Sequence, residues 1–308
     1  TITMSESEKF YVEKINILGN NYTKEEVIRN AFIIDEGDAY NEILFNKSIN
    51  KIKSKKIFKT VVKKISEGSS PNSKIIDVLV KEQPTGEISL GAGYGTSGAT
   101  LGGGVKERNF LGSGMTLDTN LSISEETVLG KFSVIKPNFN YSDNTVFASI
   151  ESSQTDRMKT FGYETKKIGT SLGTTFQQYE NFYFSPELEV FYEDLSTDST
   201  ATASLKKQNG SYFDGTFNYK INYDLRDKNY QPTDGTQTIF TQALPVISNN
   251  YELINTIEFT NYHKISQNLV TKISLYGSSA NTLSDKDVRI SKRLFLPANK
   301  LRGFEKGR

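Results

Sequence analysis

The chain has 308 residues, enough for a small module plus a larger domain, and its 37 Lys and Arg against 36 Asp and Glu give a formal net charge of +1. That balance leaves no electrostatic footprint for nucleic acid, and the absence of cysteine removes disulfides, zinc–thiolate sites and thiol catalysis. No run approaches the ~18 apolar residues of a membrane-spanning helix, whereas a mean hydropathy of -0.48 is compatible with barrel strands that alternate lipid-facing and interior residues. Thr1 to Lys9 lacks the basic and apolar regions of a secretory signal.

In chain order, Tyr11 to Leu18 reads as a strand carrying Val12, Ile15 and Ile17, ended by Gly19-Asn20-Asn21. Thr23 with Glu26 three residues on has the capping-box spacing, which predicts a short helix. Gly37-Asp38 breaks it. From Asn41, Leu44, Phe45, Ile49, Ile52 and Ile57 recur near helical spacing and predict a second, longer helix. Two strands follow, Val61 to Ile65 and Ile75 to Val80, joined by the turn-rich Glu67 to Ser73. This β-α-α-β-β order, with ILGN after its first strand and DVLVKEQP closing its last, resembles a POTRA domain, assigned to 1–83.

From Pro84 onward helical periodicity disappears. About eleven runs of roughly 9 to 14 residues follow, separated by Gly, Asn, Asp and Ser clusters. Met115, Leu117, Leu121 and Ile123 alternate with Thr116, Asp118, Asn120 and Ser122; Phe182, Phe184, Leu188, Val190 and Tyr192 alternate with Tyr183, Ser185, Glu187, Glu189 and Glu193. Phe213, Phe217, Tyr219, Ile221 and Tyr223 alternate with Asp214, Thr216, Asn218, Lys220 and Asn222. A soluble β-sandwich has the same period, but its strands average about five or six residues, and these runs are long enough to cross a bilayer at a tilt. Gly130 to Phe139 and Gly235 to Pro245 do not choose a face from sequence.

Two motifs stand about 70 residues apart: YDLRDKNYQPTDGTQ, Tyr223 to Gln237, and LRGF, Leu301 to Phe304. In the first, Pro232 and Gly235 make a turn on any reading, since proline presets φ and glycine accepts positive φ. Together, after a POTRA-like module and across a barrel-like pattern, the motifs resemble those of BamA-type outer-membrane assembly factors. Such proteins are similar in a Y-D-x-R-D strand end, here Tyr223, Asp224, Arg226 and Asp227, and in a P-T-x-G turn, here Pro232, Thr233 and Gly235. They also carry an R-G-F/Y loop, here Arg302, Gly303 and Phe304.

Other patterns carry less. Gly93, Gly95 and Gly98 match G-x-G-x-x-G, but Ala99 to Val105 reads as a strand, and a dinucleotide site needs a helix there. Gly91, Gly93 and Gly95 are instead expected to face the lumen of the first barrel strand, opposite Ile88, Leu90, Ala92 and Tyr94, and to weaken its packing. The lone His263 has no metal-ligand spacing, and Glu125-Glu126 and Asp285 with Asp287 read as solvated loop acids. No nucleophile, base and orienter can be assembled, so no enzyme and no cofactor or metal is expected. Lys47, Lys51, Lys53, Lys55, Lys56, Lys59, Lys63 and Lys64 stand against Glu42 alone over 41–64. This is a solvated helix face, or a face for anionic headgroups or an acidic partner.

The resemblance implies an α+β POTRA module followed by an antiparallel transmembrane β-barrel over 84–308, incomplete at its C-terminal end. Family barrels have about sixteen strands, so the chain is expected to be a partial one. It further implies insertion of β-barrel proteins into the bacterial outer membrane, with the POTRA module in the periplasm. The expected partners are unfolded outer-membrane protein clients, accessory assembly lipoproteins and outer-membrane lipid. The seam strand would hold Gly86, Ile88, Leu90, Gly91, Gly93 and Tyr94, and the POTRA would offer a second edge at Val61, Val62 and Ile65. The family's R-G-F/Y arginine pairs with inner-wall acids, which are expected mainly beyond Arg308. A TamA-like or two-partner-secretion barrel is the alternative within the superfamily; outside it stand a passive porin, which lacks POTRA modules, and a soluble all-β binding protein.

Overall fold

A computed structural model describes residues 8–95, 98–199 and 201–295. The module opens with β1 (Tyr11–Leu18), α1 (Glu25–Arg29) and α2 (Glu42–Ser54), then β2 (Phe58–Glu67) and β3 (Ser73–Glu82). Its sheet has the order β1-β3-β2, with β1 parallel and β2 antiparallel to the central β3. α2 forms where the apolar spacing places it: Phe45, Ser48, Ile49 and Ile52 are its buried residues. The Asn41 side chain caps it, accepting from the amides of Ile43 at 3.0 Å and Leu44 at 3.1 Å. Against that stripe pack Val12 and Ile15 of β1, Val27 and Ile28 of α1, and Ile76 and Val78 of β3, in one continuous core. Removing the larger of these side chains would cost about 2–5 kcal/mol each.

The capping box is not formed. Lys24 is the residue preceding α1 and makes no side-chain cap. Thr23 is buried, its hydroxyl accepting from Asn109 Nδ2 at 2.8 Å and its amide donating to Glu82 at 2.6 Å. Tertiary partners have taken the group that local sequence assigned to the helix start.

The larger sheet comprises β4 (Gly86–Gly95), β5 (Gly98–Phe110), β6 (Met115–Ser124), β7 (Thr127–Lys136), β8 (Thr145–Arg157) and β9 (Tyr163–Tyr179). It continues with β10 (Phe182–Thr197), β11 (Gly210–Asp224), β12 (Gly235–Ser248), β13 (Glu252–Ser266) and β14 (Leu269–Thr282). These eleven strands lie in sequence order, and β4 and β14 form its two ends. The two runs that chose no face from sequence are β7 and β12. The polar row Glu187, Glu189 and Glu193 of β10 shares its face with Asp214, Thr216 and Asn218 of β11, as the register Glu189↔Thr216 and Glu187↔Asn218 requires. Leu188 pairs with Leu172 and Phe217 on the opposite, apolar face. There Phe184 meets Phe176 at 5.7 Å and Tyr219 at 5.9 Å, and Tyr219 meets Phe240 at 6.1 Å, so aromatic contacts run across four strands.

The chain divides into two compact units: residues up to 87 with 106–117 and 136–142, and residues 88–105, 118–135 and from 143 on. The first unit therefore includes the turn between β5 and β6. Gly112 there has φ +65°, and a Cβ on it would lie 2.0 Å from the Tyr22 carbonyl oxygen, so only glycine fits; its own carbonyl accepts from the Lys24 amide at 2.8 Å.

Candidate functional site

Three sequence-derived features fall within the described residues. The first is β4, at one end of the large sheet. Ile88, Leu90 and Tyr94 are 76, 89 and 86% exposed, and a Cβ placed on Gly91 or Gly93 would meet no atom within 4 Å. One face of this strand thus offers bare backbone and the other offers large apolar side chains. Leu90 continues into an open apolar hollow of about 510 Å³ shared with Leu101, Gly103, Leu121 and Ile123.

The second is β2, an edge of the module's sheet. Val61 is buried, Val62 is exposed, and Val62 and Ile65 pair with Leu79 and Ile76 of β3, which leaves the strand's other side without a strand partner among the described residues. Lys63, on the same strand, is held by Glu42 at 3.0 Å and Asn46 at 2.8 Å, so that lysine belongs to an ion pair within the module.

The third is the Tyr223 to Gln237 turn, whose residues act on one another. Arg226 grips Asp224 with both arms of its guanidinium, at 2.8 Å from Nε and 2.6 Å from Nη2. Asp227 accepts from the Thr233 hydroxyl at 2.5 Å and from the amides of Thr233 at 2.9 Å and Asp234 at 3.2 Å. The Thr233 bonds hold the Asp227 carboxyl down at about 2. Gly235 has φ +100°, and a Cβ there would lie 2.2 Å from the Leu225 carbonyl oxygen. Two carboxylates, a proline and a glycine thereby fix the connection from β11 to β12; Tyr223 stays on the apolar face, 6.5 Å from Phe182.

Arg302, Gly303 and Phe304 lie outside the described residues. His263 is exposed, 3.8 Å from Asp234. Glu126 is not merely a solvated acid: it holds the buried Arg157 at 3.1 Å. Among the described residues no group of acids and histidine is arranged for a metal ion. What sequence reading missed is a buried ionic cluster around Arg289 on the polar face. Its carboxylates come from Glu193, Asp214 and Glu252, of which the first two sat on rows already read as polar, while nothing periodic marked Arg289.

Both parts of the chain match known families. Residues 109–308 match the Omp85 superfamily domain, and residues 10–83 match the POTRA family described as a surface antigen variable number repeat. The outer membrane protein assembly factor BamA of Nitratidesulfovibrio vulgaris is 23% identical over 99% of this chain and 39% of its own length. A putative outer membrane protein assembly factor of Treponema pallidum is 28% identical over 61% of this chain and 23% of its own. The chain thus spans well under half the length of these relatives. In fold, it is similar to BamA of Haemophilus ducreyi lacking POTRA domains 1-3, at TM-score 0.74 and 22% identity over 89% of this chain and 56% of that one. It is also similar to CdiB of Acinetobacter baumannii, at TM-score 0.56 and 10% identity over 96% of this chain and 57% of that one. With a POTRA module followed by a superfamily domain over well more than half its length, the chain belongs to the Omp85 superfamily, as an outer-membrane β-barrel protein of BamA type with a periplasmic POTRA module.

Proposed function

We propose that this chain, as part of a longer protein, folds and inserts other β-barrel proteins into the outer membrane, with residues 1–83 as its POTRA and 84–308 as the N-terminal part of its barrel. The feature that carries the reading is the make-up of β4, the first strand of the sheet: Gly91 and Gly93 leave the backbone of one face bare, and Ile88, Leu90 and Tyr94 stand on the other. A client strand in lipid carries unpaired amides and carbonyls, each costing several kcal/mol until an edge pairs with it. An edge with little side-chain packing can form and release such a ladder by exchanging backbone hydrogen bonds alone. β2 supplies a second edge, at Val61, Val62 and Ile65, for β-augmentation by unfolded clients or accessory lipoproteins. Arg302, Gly303 and Phe304 form the R-G-F loop motif of the same assembly, and the braced turn at Asp224, Arg226, Asp227 and Gly235 holds β11 and β12 in register.

These 308 residues contain no cysteine, which suits a disulfide test in the full-length protein with any cysteine outside them replaced. A cysteine at Ser89 should form a disulfide with a cysteine in the terminal strand of a client during its insertion, and one at Thr170, in the middle of the sheet, should not. Client insertion that proceeds with no capture at Ser89, or with equal capture at Thr170, would refute templating at β4.

A further inference from the structure

The segment after β14 returns to the polar face of the sheet, and Arg289 is at the centre of the contacts that hold it there. Arg289 is 1% exposed. Its guanidinium reaches carboxylates on three strands: Glu252 of β13 at 3.1 Å from Nε and 2.7 Å from Nη2, Glu193 of β10 at 3.2 Å from Nη1, and Asp214 of β11 from Nη2. The Arg289 amide also donates to Glu252, at 2.8 Å, so the backbone is seated as well as the side chain. Tyr212 lies beneath the guanidinium, its ring centre 4.4 Å away. Lys292, one turn on, adds contacts to Glu252 at 3.0 Å and Asp214 at 3.4 Å. The next amide, of Ile290, donates to Gln208 at 2.8 Å in the connection between β10 and β11.

We propose that Arg289 is the positioning residue that seats the described part of the segment after β14, residues 283–295, on the inner wall ahead of the Leu301–Phe304 motif, with Glu193, Asp214 and Glu252 as its receptor. The three acids come from separate strands and lie 37 to 96 residues from Arg289 in the chain, so they converge only once β10, β11 and β13 are in register. Three buried carboxylates grouped without a cation would repel one another and lack counter-charge, and a planar fork with five N–H donors can serve all three at once. A lysine has three donors on a point charge and cannot span them equally, which makes the site selective for arginine. The anchor lies 13 residues before Arg302, so the loop carries a fixed point of its own whatever Arg302 contacts.

The test is limited trypsin digestion of the full-length protein, reading cleavage of the Lys292–Arg293 bond by mass spectrometry, with heat-modifiable mobility reporting the barrel. In the wild type Lys292 is held in the cluster and the bond should be resistant. Arg289→Ala should raise its cleavage rate at least tenfold with the barrel still folded, and Arg289→Lys should fall between the two. Glu252→Gln should also raise the rate, and adding it to Arg289→Ala should change little further, since both act on one contact. Unchanged cleavage in folded Arg289→Ala would overturn the proposal. So would loss of the folded barrel in both Arg289→Ala and Arg289→Lys, because the residue would then build the wall and not place the loop.

Discussion

Replacing Asn109 by alanine should loosen the first compact unit in a place that can be read atom by atom. Asn109 is buried between two groups: its Nδ2 donates to the Thr23 hydroxyl at 2.8 Å, and its Oδ1 accepts from the Gly114 amide at 2.9 Å. The alanine leaves a buried N–H with no acceptor, a cost of about 1–3 kcal/mol, and removes a second buried hydrogen bond worth about 1 kcal/mol. A net loss of about 2–4 kcal/mol corresponds to a roughly 30- to 700-fold rise in local opening. Amide exchange measured by mass spectrometry on the full-length protein should show that rise in peptides covering Gly114 and Lys24, whose amide is bonded to Gly112. Thr23→Val removes the other end of the same bond, so the double variant should lose less than the sum of the two single losses. Unaltered exchange at Gly114 in Asn109→Ala would refute the claim that this side chain ties the β5–β6 turn to the start of α1.

Two further outcomes follow from the faces and from the module's acids. Lysine at Tyr219, on the aromatic face, should block membrane insertion at a cost of about 2–4 kcal/mol near mid-bilayer, whereas lysine at Asn218, which donates to Glu189 at 3.1 Å on the polar face, should be tolerated; equal insertion of the two variants would contradict the facing. Burial would raise the Glu82 carboxyl, but bonds from Thr23 and from the Tyr22 amide outweigh it and hold the group below its ordinary value. Its stabilising contribution is therefore fully present above the unfolded value of about 4.3 and is lost as pH falls through the lowered folded value. The helical circular dichroism of the module should weaken in that acid range, and Glu82→Gln should flatten the dependence; an unchanged profile would remove Glu82 as its cause.

Much of the architecture was legible because period and spacing are local. The Phe182 to Tyr192 and Phe213 to Tyr223 rows chose their faces by alternation, and Leu44, Phe45, Ile49 and Ile52 placed α2 by its helical stripe. The turn was legible too, since Pro232 and Gly235 have backbone requirements that do not depend on the rest of the fold. The start of α1 was misread because Thr23 found Asn109, 86 residues away, as a better partner than its own helix. The Arg289 cluster could not be read for the same reason: four residues from four segments share nothing in sequence beyond charge. Exposed and buried acids look alike along a chain, so Glu126 with Asp285 and Asp287 drew one common reading although Glu126 holds a buried arginine.

The placement of the Arg289 anchor follows from how unevenly the sheet is held. Between β9 and β12, cross-strand aromatic pairs such as Phe176 with Phe184 and Tyr219 with Phe240 add about 0.5–1.5 kcal/mol each beyond their buried area. At β4, the glycines at 91 and 93 present no side chain to pack, so pairing at those two positions rests on the backbone ladder. A buried ion cluster is weak evidence of net stability, because desolvation offsets most of its attraction; its use lies in specifying one geometry. Such a device fixes a loop only if its own pieces do not move apart. Glu193 and Asp214 sit on β10 and β11, inside the aromatic-packed stretch, Glu252 sits on β13 beside it, and none sits on the end that the proposed mechanism requires to open. Under the proposed mechanism the loop would stay seated while β4 exchanges partners, which an anchor on β4 or β5 would not permit.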